Sequence, residues 1–210
     1  MLLKSLFFAA GIFVVAQAAN AQFGMPSIPG VTGGGSSAPT ADAGSVLVNA
    51  NKALTGFVNS EKKIAEALKV YNLSEDKKDF LKRRGKGDVA PTSEDLNTMF
   101  TIQESLKADI DKAIADNQKL DPAQKKLALD GGIEYLKALG SSKNLVSSIQ
   151  GLAKNPVAAG ANIGPLSTLA TNLPGMVTQS VSSTGTLIKY FSANGIDTSK
   201  MQKEADSLGK

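Results

Sequence analysis

The amino-acid sequence predicts an all-α fold, an irregular bundle of about six to eight helices. Three observations lead to this prediction. Apolar residues recur at spacings of three and four, capping patterns precede several of these segments, and alternating β-branched runs bounded by turns are missing. Hydrophobic residues make up 42% of the 210 residues and aromatic residues only 5%, so we expect a core built mainly of Leu, Ile, Val and Ala.

The first 21 residues predict a cleaved secretory signal peptide. Lys4 supplies a positive start, residues 6–16 form an apolar run, and Ala19, Asn20 and Ala21 give a small-x-small cleavage pattern before Gln22. The run is short for a membrane-spanning helix, which needs about 20 residues. We therefore expect an exported protein, periplasmic or extracellular. The absence of cysteine fits a bacterial exported protein better than a eukaryotic secreted domain.

Residues 22–44 predict a flexible leader, and residues 45–210 a single helical domain. The leader is rich in Gly, Pro, Ser, Ala and Thr, a composition that buries too little apolar surface to offset the entropy of ordering. Its few apolar residues suit a plain spacer, with a short docking motif as the alternative. Within the domain we expect charged helices over 45–140, uncharged helices over 141–193 and a short polar helix over 197–208.

The first helix of the domain is predicted by a stripe that runs over more than three heptads. Its members are Leu47, Ala50, Leu54, Phe57, Glu61, Ile64, Leu68 and Tyr71. Glu61 interrupts this stripe. We expect the stripe to drift so that Val58 fills the core at that level, and a buried polar position that confers specificity is the alternative.

Three further helix starts follow. Ser74 precedes a short helix over 75–84 that Gly85 ends, and Thr92 begins a helix with acidic residues in its first turn. Asp121 caps a helix with proline at the first position and glutamine three residues after the cap. We expect this last helix to stop near Gly140, after a glycine pair at 131–132 that indicates a close helix contact or weakens the helix.

The charge pattern changes along the domain. Residues 155–188 contain 34 consecutive uncharged residues, and prolines recur every nine residues at Pro156, Pro165 and Pro174. Because proline suits the first turn of a helix, we expect short helices to begin near each of them, the longest over 174–193. The stretch is interpreted as the buried centre of the bundle, covered by charged helices. Conditional insertion into a membrane is the alternative.

The composition excludes much chemistry. The chain has no His, Cys or Trp, which removes thiol nucleophiles, thiolate and imidazole metal sites and His-based triads. Ser-x-x-Lys spacings occur no more often than chance allows. No phosphate-binding loop, dinucleotide fingerprint or calcium loop is present. We therefore expect a protein that is not an enzyme, with no catalytic residues, no metal site and no cofactor.

One dense basic cluster is the candidate binding site. Within ten residues it contains six cations, namely Lys77, Lys78, Lys82, Arg83, Arg84 and Lys86. The cluster suits contact with an anionic surface, such as lipid headgroups or an acidic partner. Solvated cations that complement a helix C-terminus are the other interpretation. Nucleic acid is a poor candidate because only one aromatic residue, Phe80, lies nearby.

Three roles remain open at this level. The first is an exported interaction or structural protein of the bacterial envelope, with an unknown envelope protein as partner. The second is a membrane-active or lipid-binding protein that uses the basic cluster on an anionic membrane. The third is a periplasmic carrier of a small ligand.

Overall fold

Helices are the only regular secondary structure in the residues that the computed structural model describes, which are 42–85 and 87–208. The elements are α1 (Ala43–Ala67), α2 (Glu75–Arg84), α3 (Ser93–Ala115), α4 (Pro122–Ala153), α5 (Pro156–Ala159), a 3-10 turn (Gly160–Asn162), α6 (Ile163–Ala193) and α7 (Ser199–Leu208). The all-α prediction is confirmed. The predicted signal peptide and most of the leader lie outside the described residues, as does Lys86.

Helix α1 is the central element of the bundle. Fifteen of its 25 residues are buried, and it packs most extensively on α4 and next on α3. Leu54 and Phe57 on its inner face are fully enclosed. Burial of each such side chain contributes about 1.5–3 kcal/mol, so this face supplies much of the stability of the fold.

The α1–α4 contact is close because α4 has a glycine where the helices meet. A Cβ atom at Gly131 would lie 3.0 Å from Cγ1 and 3.2 Å from the backbone nitrogen of Ile64. At Gly132 it would lie 2.6 Å from Cε of Met201 on α7. The glycine pair therefore allows α4 to pack closely on both α1 and α7. Of the two interpretations of this pair, the close helix contact is the one observed.

The predicted helix starts are found at the expected residues. Thr92 and Asp95 form a reciprocal capping box at α3, and Asp121 and Gln124 form another at α4. The side chain of Asp42 accepts a hydrogen bond from the Ser45 amide at the start of α1. Each cap supplies a partner to an amide that the helix itself leaves unbonded.

Helix α1 ends four residues before the predicted Tyr71. The chain leaves the helix at Leu68, and Lys69 adopts a positive φ of 57°. Tyr71 still packs against the core from the following loop, with the Lys62 ammonium 5.5 Å from its ring centroid. The stripe pattern therefore identified core residues correctly beyond the point where the helix stops.

The prediction that the fourth helix stops near Gly140 is wrong. Helix α4 continues to Ala153, because Leu139, Ile149 and Leu152 keep its buried face continuous. A glycine inside a helix costs about 1 kcal/mol relative to alanine, less than the burial of one leucine contributes. Gly140 also faces α7, where a Cβ would lie 3.2 Å from Cδ2 of Leu208.

The prediction of a helix that begins at Pro174 is also wrong. Pro156 does begin α5, and Pro165 lies in the first turn of α6, but Pro174 is inside α6. An interior proline costs about 3 kcal/mol. Burial of ten residues along α6 outweighs this cost and keeps the helix continuous.

The uncharged stretch has one buried face and one exposed face. Helix α6 buries an apolar side from Leu166 to Phe191, while Ser, Thr, Asn and Gln side chains cover much of its outer side. The expectation that this stretch forms the centre of the bundle is therefore wrong, because α1 is the central helix. None of the helices formed by residues 42–85 and 87–208 has the length and apolarity to cross a membrane.

Candidate ligand-binding cavity

A cavity of about 330 Å³ lies where α1, α3, α4 and α6 meet. Its walls are formed by Glu61, Ile64, Lys107, Ile110, Asp111, Ile114, Ala115, Tyr135, Ser183, Thr186 and Leu187. Six of these eleven residues are apolar or aromatic, so the walls are mainly apolar. The volume is within the range of about 300–1,000 Å³ that is common for small-molecule sites.

Glu61 is the buried polar group of this cavity. Only 2% of the residue is exposed, and its Oε1 accepts a hydrogen bond of 3.0 Å from Nε2 of Gln103 on α3. Its Oε2 is buried and has no hydrogen-bond partner among the described residues. An unpartnered buried polar atom destabilises a fold by about 1–3 kcal/mol, so this oxygen requires an explanation.

Burial raises the pKa of Glu61 to about 8. The hydrogen bond from Gln103 and the positive charge of Lys107 oppose this rise, while the negative charge of Asp111 adds to it. Glu61 is therefore mostly protonated at neutral pH. A carboxyl group whose pKa is raised by burial inside a cavity is a recurrent feature of functional sites.

The other ionisable groups around the cavity already have partners. Lys107 donates to Asp111 one helical turn away. The hydroxyl of Tyr135 donates to the Ser180 carbonyl at 3.2 Å, and the tyrosine ring lies 4.7 Å from the Phe57 ring. Burial raises the pKa of Tyr135 above its usual value, so it stays neutral. Tyr135 thus forms a wall of the cavity. Glu61 is left as the ionisable residue of the lining that has an oxygen without a hydrogen-bond partner among the described residues.

Helix α6 contributes hydroxyl groups and an apolar surface to the cavity. Ser183 and Thr186 line it together with Leu187, and no charged residue of α6 does. Three further buried hydroxyls lack hydrogen-bond partners among the described residues, at Thr55, Ser142 and Ser180, but none of these residues lines the cavity. Glu61 is thus the unpartnered group that coincides with an open volume.

Val58 fills the core at the level of Glu61, as expected, but Glu61 does not leave the buried face of the helix. Val58 is fully buried, and Glu61 is buried as well. The alternative of a buried polar position is the one observed. A signal was present in the sequence, because the helical spacing of Leu96, Met99, Leu106 and Ile110 in α3 also includes one polar residue, Gln103. Two polar residues in two apolar stripes can satisfy each other when the helices are neighbours.

The predicted basic cluster is partly neutralised by local ion pairs. Lys78 pairs with Glu75 at 2.7 Å, Lys82 with Asp79 at 3.0 Å and Arg84 with Asp95 at 2.5 Å. The hydrogen bonds that the two lysines donate to Glu75 and Asp79 raise the pKa values of Lys78 and Lys82.

Three members of the cluster, Lys82, Arg83 and Arg84, line a cavity of about 330 Å³ that Asp88 also lines. Lys77 is half-buried and Arg83 is exposed at the last turn of α2. This arrangement favours the interpretation of cations that complement a helix C-terminus. Contact of the cluster with an anionic surface stays a prediction.

A larger groove of about 940 Å³ runs along the outer side of the α1–α4 pair. It is open, and lysine and asparagine side chains line much of it. Lys63 and Glu134 bridge it with an ion pair of 2.5 Å. No buried unpartnered group lines this groove, so the smaller cavity is the better candidate site.

The described residues contain no group of three or more acidic, histidine or cysteine side chains arranged to hold a metal ion. No protein-family model matches the chain, and no curated protein or solved structure matches it.

Proposed function

We propose that this protein is a non-enzymatic binding protein that holds one small amphipathic molecule in the Glu61 cavity. Of the three roles open from the sequence, this is the small-ligand carrier. The unpartnered Oε2 of Glu61, buried against an apolar volume, is the observation that supports it. A ligand with an apolar body and one polar group would fill the volume and pair that oxygen.

Binding is a better proposal than catalysis because Glu61 has no second reactive group beside it. Acid–base chemistry commonly uses a pair of groups with different proton affinities. Here Lys107 is paired with Asp111, and Tyr135 is hydrogen-bonded to a backbone carbonyl. A single carboxyl in an apolar cavity is suited to orienting a ligand.

The place of action follows from the predicted signal peptide. We propose that the ligand is bound outside the cytoplasm, in the periplasm or beyond. This part of the proposal depends on residues 1–21, which lie outside the described residues. It is tested separately, by fractionating cells that produce the full chain and sequencing the N-terminus of the exported form.

The binding proposal is tested with the neutral fluorescent probe N-phenyl-1-naphthylamine and a variant that fills the cavity. Ser183 lines the cavity, and its neighbour Ser182 is exposed outside it, so Ser183→Phe and Ser182→Phe form a matched pair. We expect saturable binding of one probe molecule to the native protein and to Ser182→Phe. Ser183→Phe should weaken binding at least about tenfold, because the ring occupies the volume.

Equal probe binding by the two phenylalanine variants would contradict the proposal. A native mass spectrum of the protein purified from its source provides a second readout. A carrier should show an added mass that Ser183→Phe lacks. If the two variants bind the probe equally and the native protein carries no added mass, the interaction role or the lipid-binding role becomes the better hypothesis.

A further inference from the structure

The charge environment of the cavity indicates what polar group a ligand would have. Helix α3 contributes Lys107 and Asp111, which pair with each other, and α4 contributes Tyr135, which is neutral. Helix α6 contributes no ionisable residue to the lining. Of the four ionisable residues in the lining, Glu61 is the one with an oxygen that has no hydrogen-bond partner among the described residues.

Gln103 determines which oxygen of Glu61 is available. Its amide nitrogen donates to Oε1, which holds the carboxyl group in one orientation. Oε2 remains as a buried acceptor without a partner among the described residues, on a residue that lines the cavity. The hydroxyls of Ser183 and Thr186 provide further acceptors in the same lining.

We infer that the ligand is an amphipathic amine whose ammonium group pairs with Oε2 of Glu61 while its apolar body lies against Ile64, Ile110 and Leu187. This inference rests on the proposed function, because it names the ligand class of the same cavity. An ammonium group supplies the missing hydrogen-bond donor and, once Glu61 has released its proton, a charge opposite to that of the carboxylate. The strength of such a charge-assisted hydrogen bond exceeds that of a neutral one about twofold.

Other headgroups fit this environment less well. A carboxylate would bring a negative charge into a cavity that Asp111 lines, and the ammonium of Lys107 is already paired. An alcohol can donate one hydrogen bond to Oε2 but brings no charge. The site therefore selects an amine over an alcohol or an acid of the same length.

The proton balance of binding follows from the state of Glu61. At neutral pH the free protein has a proton on this carboxyl group. Arrival of the ammonium releases that proton to solvent, so the complex contains a carboxylate and an ammonium. Since the pKa of Glu61 is about 8, amine affinity should fall about tenfold for each pH unit below 8, whereas alcohol affinity should not change.

The test is isothermal titration calorimetry of the full chain with octylamine, octanol and octanoate. Titrations at pH 6, 7 and 8, in two buffers of different ionisation enthalpy, measure both affinity and proton release. We expect octylamine to bind at least about tenfold more tightly than octanol at pH 8. We also expect release of nearly one proton per octylamine at pH 7, and none with octanol.

Two variants distinguish the effect of removing the Glu61 carboxyl group from the effect of removing a carboxylate elsewhere. Glu61→Gln keeps a polar side chain of the same size but cannot ionise, so it should remove the preference for octylamine and the proton release while octanol binding persists. Glu134→Gln removes a carboxylate of α4 that pairs with Lys63 outside the cavity. It should leave all three titrations unchanged.

The outcomes distinguish this inference from the proposed function. If octanol or octanoate binds as tightly as octylamine, the amine inference is wrong and the binding proposal stands. Unchanged octylamine binding in Glu61→Gln would also show that the amine inference is wrong, and the binding proposal would stand. If none of the three compounds binds, the proposed function fails and the amine inference fails with it.

Discussion

The buried carboxyl group of Glu61 affects folding as well as binding. The pKa of Glu61 rises from an ordinary value of 4.5 in the unfolded chain to about 8 in the folded protein. Between these values the folded state binds more protons than the unfolded state. The contribution of Glu61 is therefore fully present below pH 4.5 and is lost as pH rises through 8. The loss amounts to about 1.4 kcal/mol per pH unit, up to about 5 kcal/mol in total.

A Glu61→Gln substitution tests this linkage. The variant cannot lose a proton, so its free energy of unfolding should lack this decline between pH 5 and pH 9. Relative to the native protein it should gain about 3–5 kcal/mol over that interval. Urea denaturation followed by circular dichroism at both pH values gives the difference.

Other acidic groups do not obscure this window. Hydrogen bonds from Ser45 and Ser199 lower the pKa values of Asp42 and Asp197, so both carboxylates stay ionised above pH 5. Their contributions to stability are lost only in more acidic solution. A parallel decline of native protein and Glu61→Gln between pH 5 and pH 9 would show that Glu61 is ionised in the folded state.

At the scale of helices, the fold depends on close approach of α4 to its neighbours. Gly131 faces Ile64 and Lys63 of α1 so closely that an added methyl group would require these neighbours to shift by a few tenths of an ångström. Elsewhere on α4, a Cβ at Gly151 would meet no atom within 4 Å. Both glycines lie in α4, but they differ in whether a neighbouring helix packs against them. Substitutions at the two positions therefore distinguish the effect of helix propensity from the effect of helix contact.

We expect Gly131→Ala to destabilise the protein by about 1–3 kcal/mol, because the added methyl group forces α1 and α4 apart. Gly151→Ala should stabilise it by about 0.5–1 kcal/mol, since alanine favours a helix and nothing is displaced. Chemical denaturation of both variants measures the two values. A gain of stability in Gly131→Ala would mean that the helix contact is looser than described.

Helix starts were easier to predict than helix ends. A start depends on a few adjacent residues, as with Asp121 and Gln124, whose side chains bond to neighbouring backbone amides. Continuation through Gly140 or Pro174 depends instead on what the following residues bury. Local preference disfavoured a helix at both positions, and tertiary burial of the adjoining apolar faces overrode it.

At the scale of the whole molecule, stability is unevenly distributed. Helix α1 has fifteen buried residues, whereas α2 buries only Leu81 and is bounded by loops. Local opening of α2 therefore exposes little apolar surface. Opening of α1 requires loss of the shared core.

Hydrogen exchange under native conditions should reveal this difference. We expect α2 amides to exchange through local opening, with protection at least about tenfold lower than that of the central turns of α1. Mass spectrometry of peptic fragments gives both values. Equal protection of the two helices would indicate that α2 opens only with global unfolding.

Local patterns in the sequence were sufficient to predict the helical class, the caps of α3 and α4 and most of the buried apolar positions. They were sufficient because capping and amphipathic spacing are properties of adjacent residues in one chain. The place of Glu61 required the tertiary structure. Whether a polar residue in an apolar stripe is buried depends on which helices cover it, and here α3 supplies Gln103 while α3, α4 and α6 together enclose the cavity.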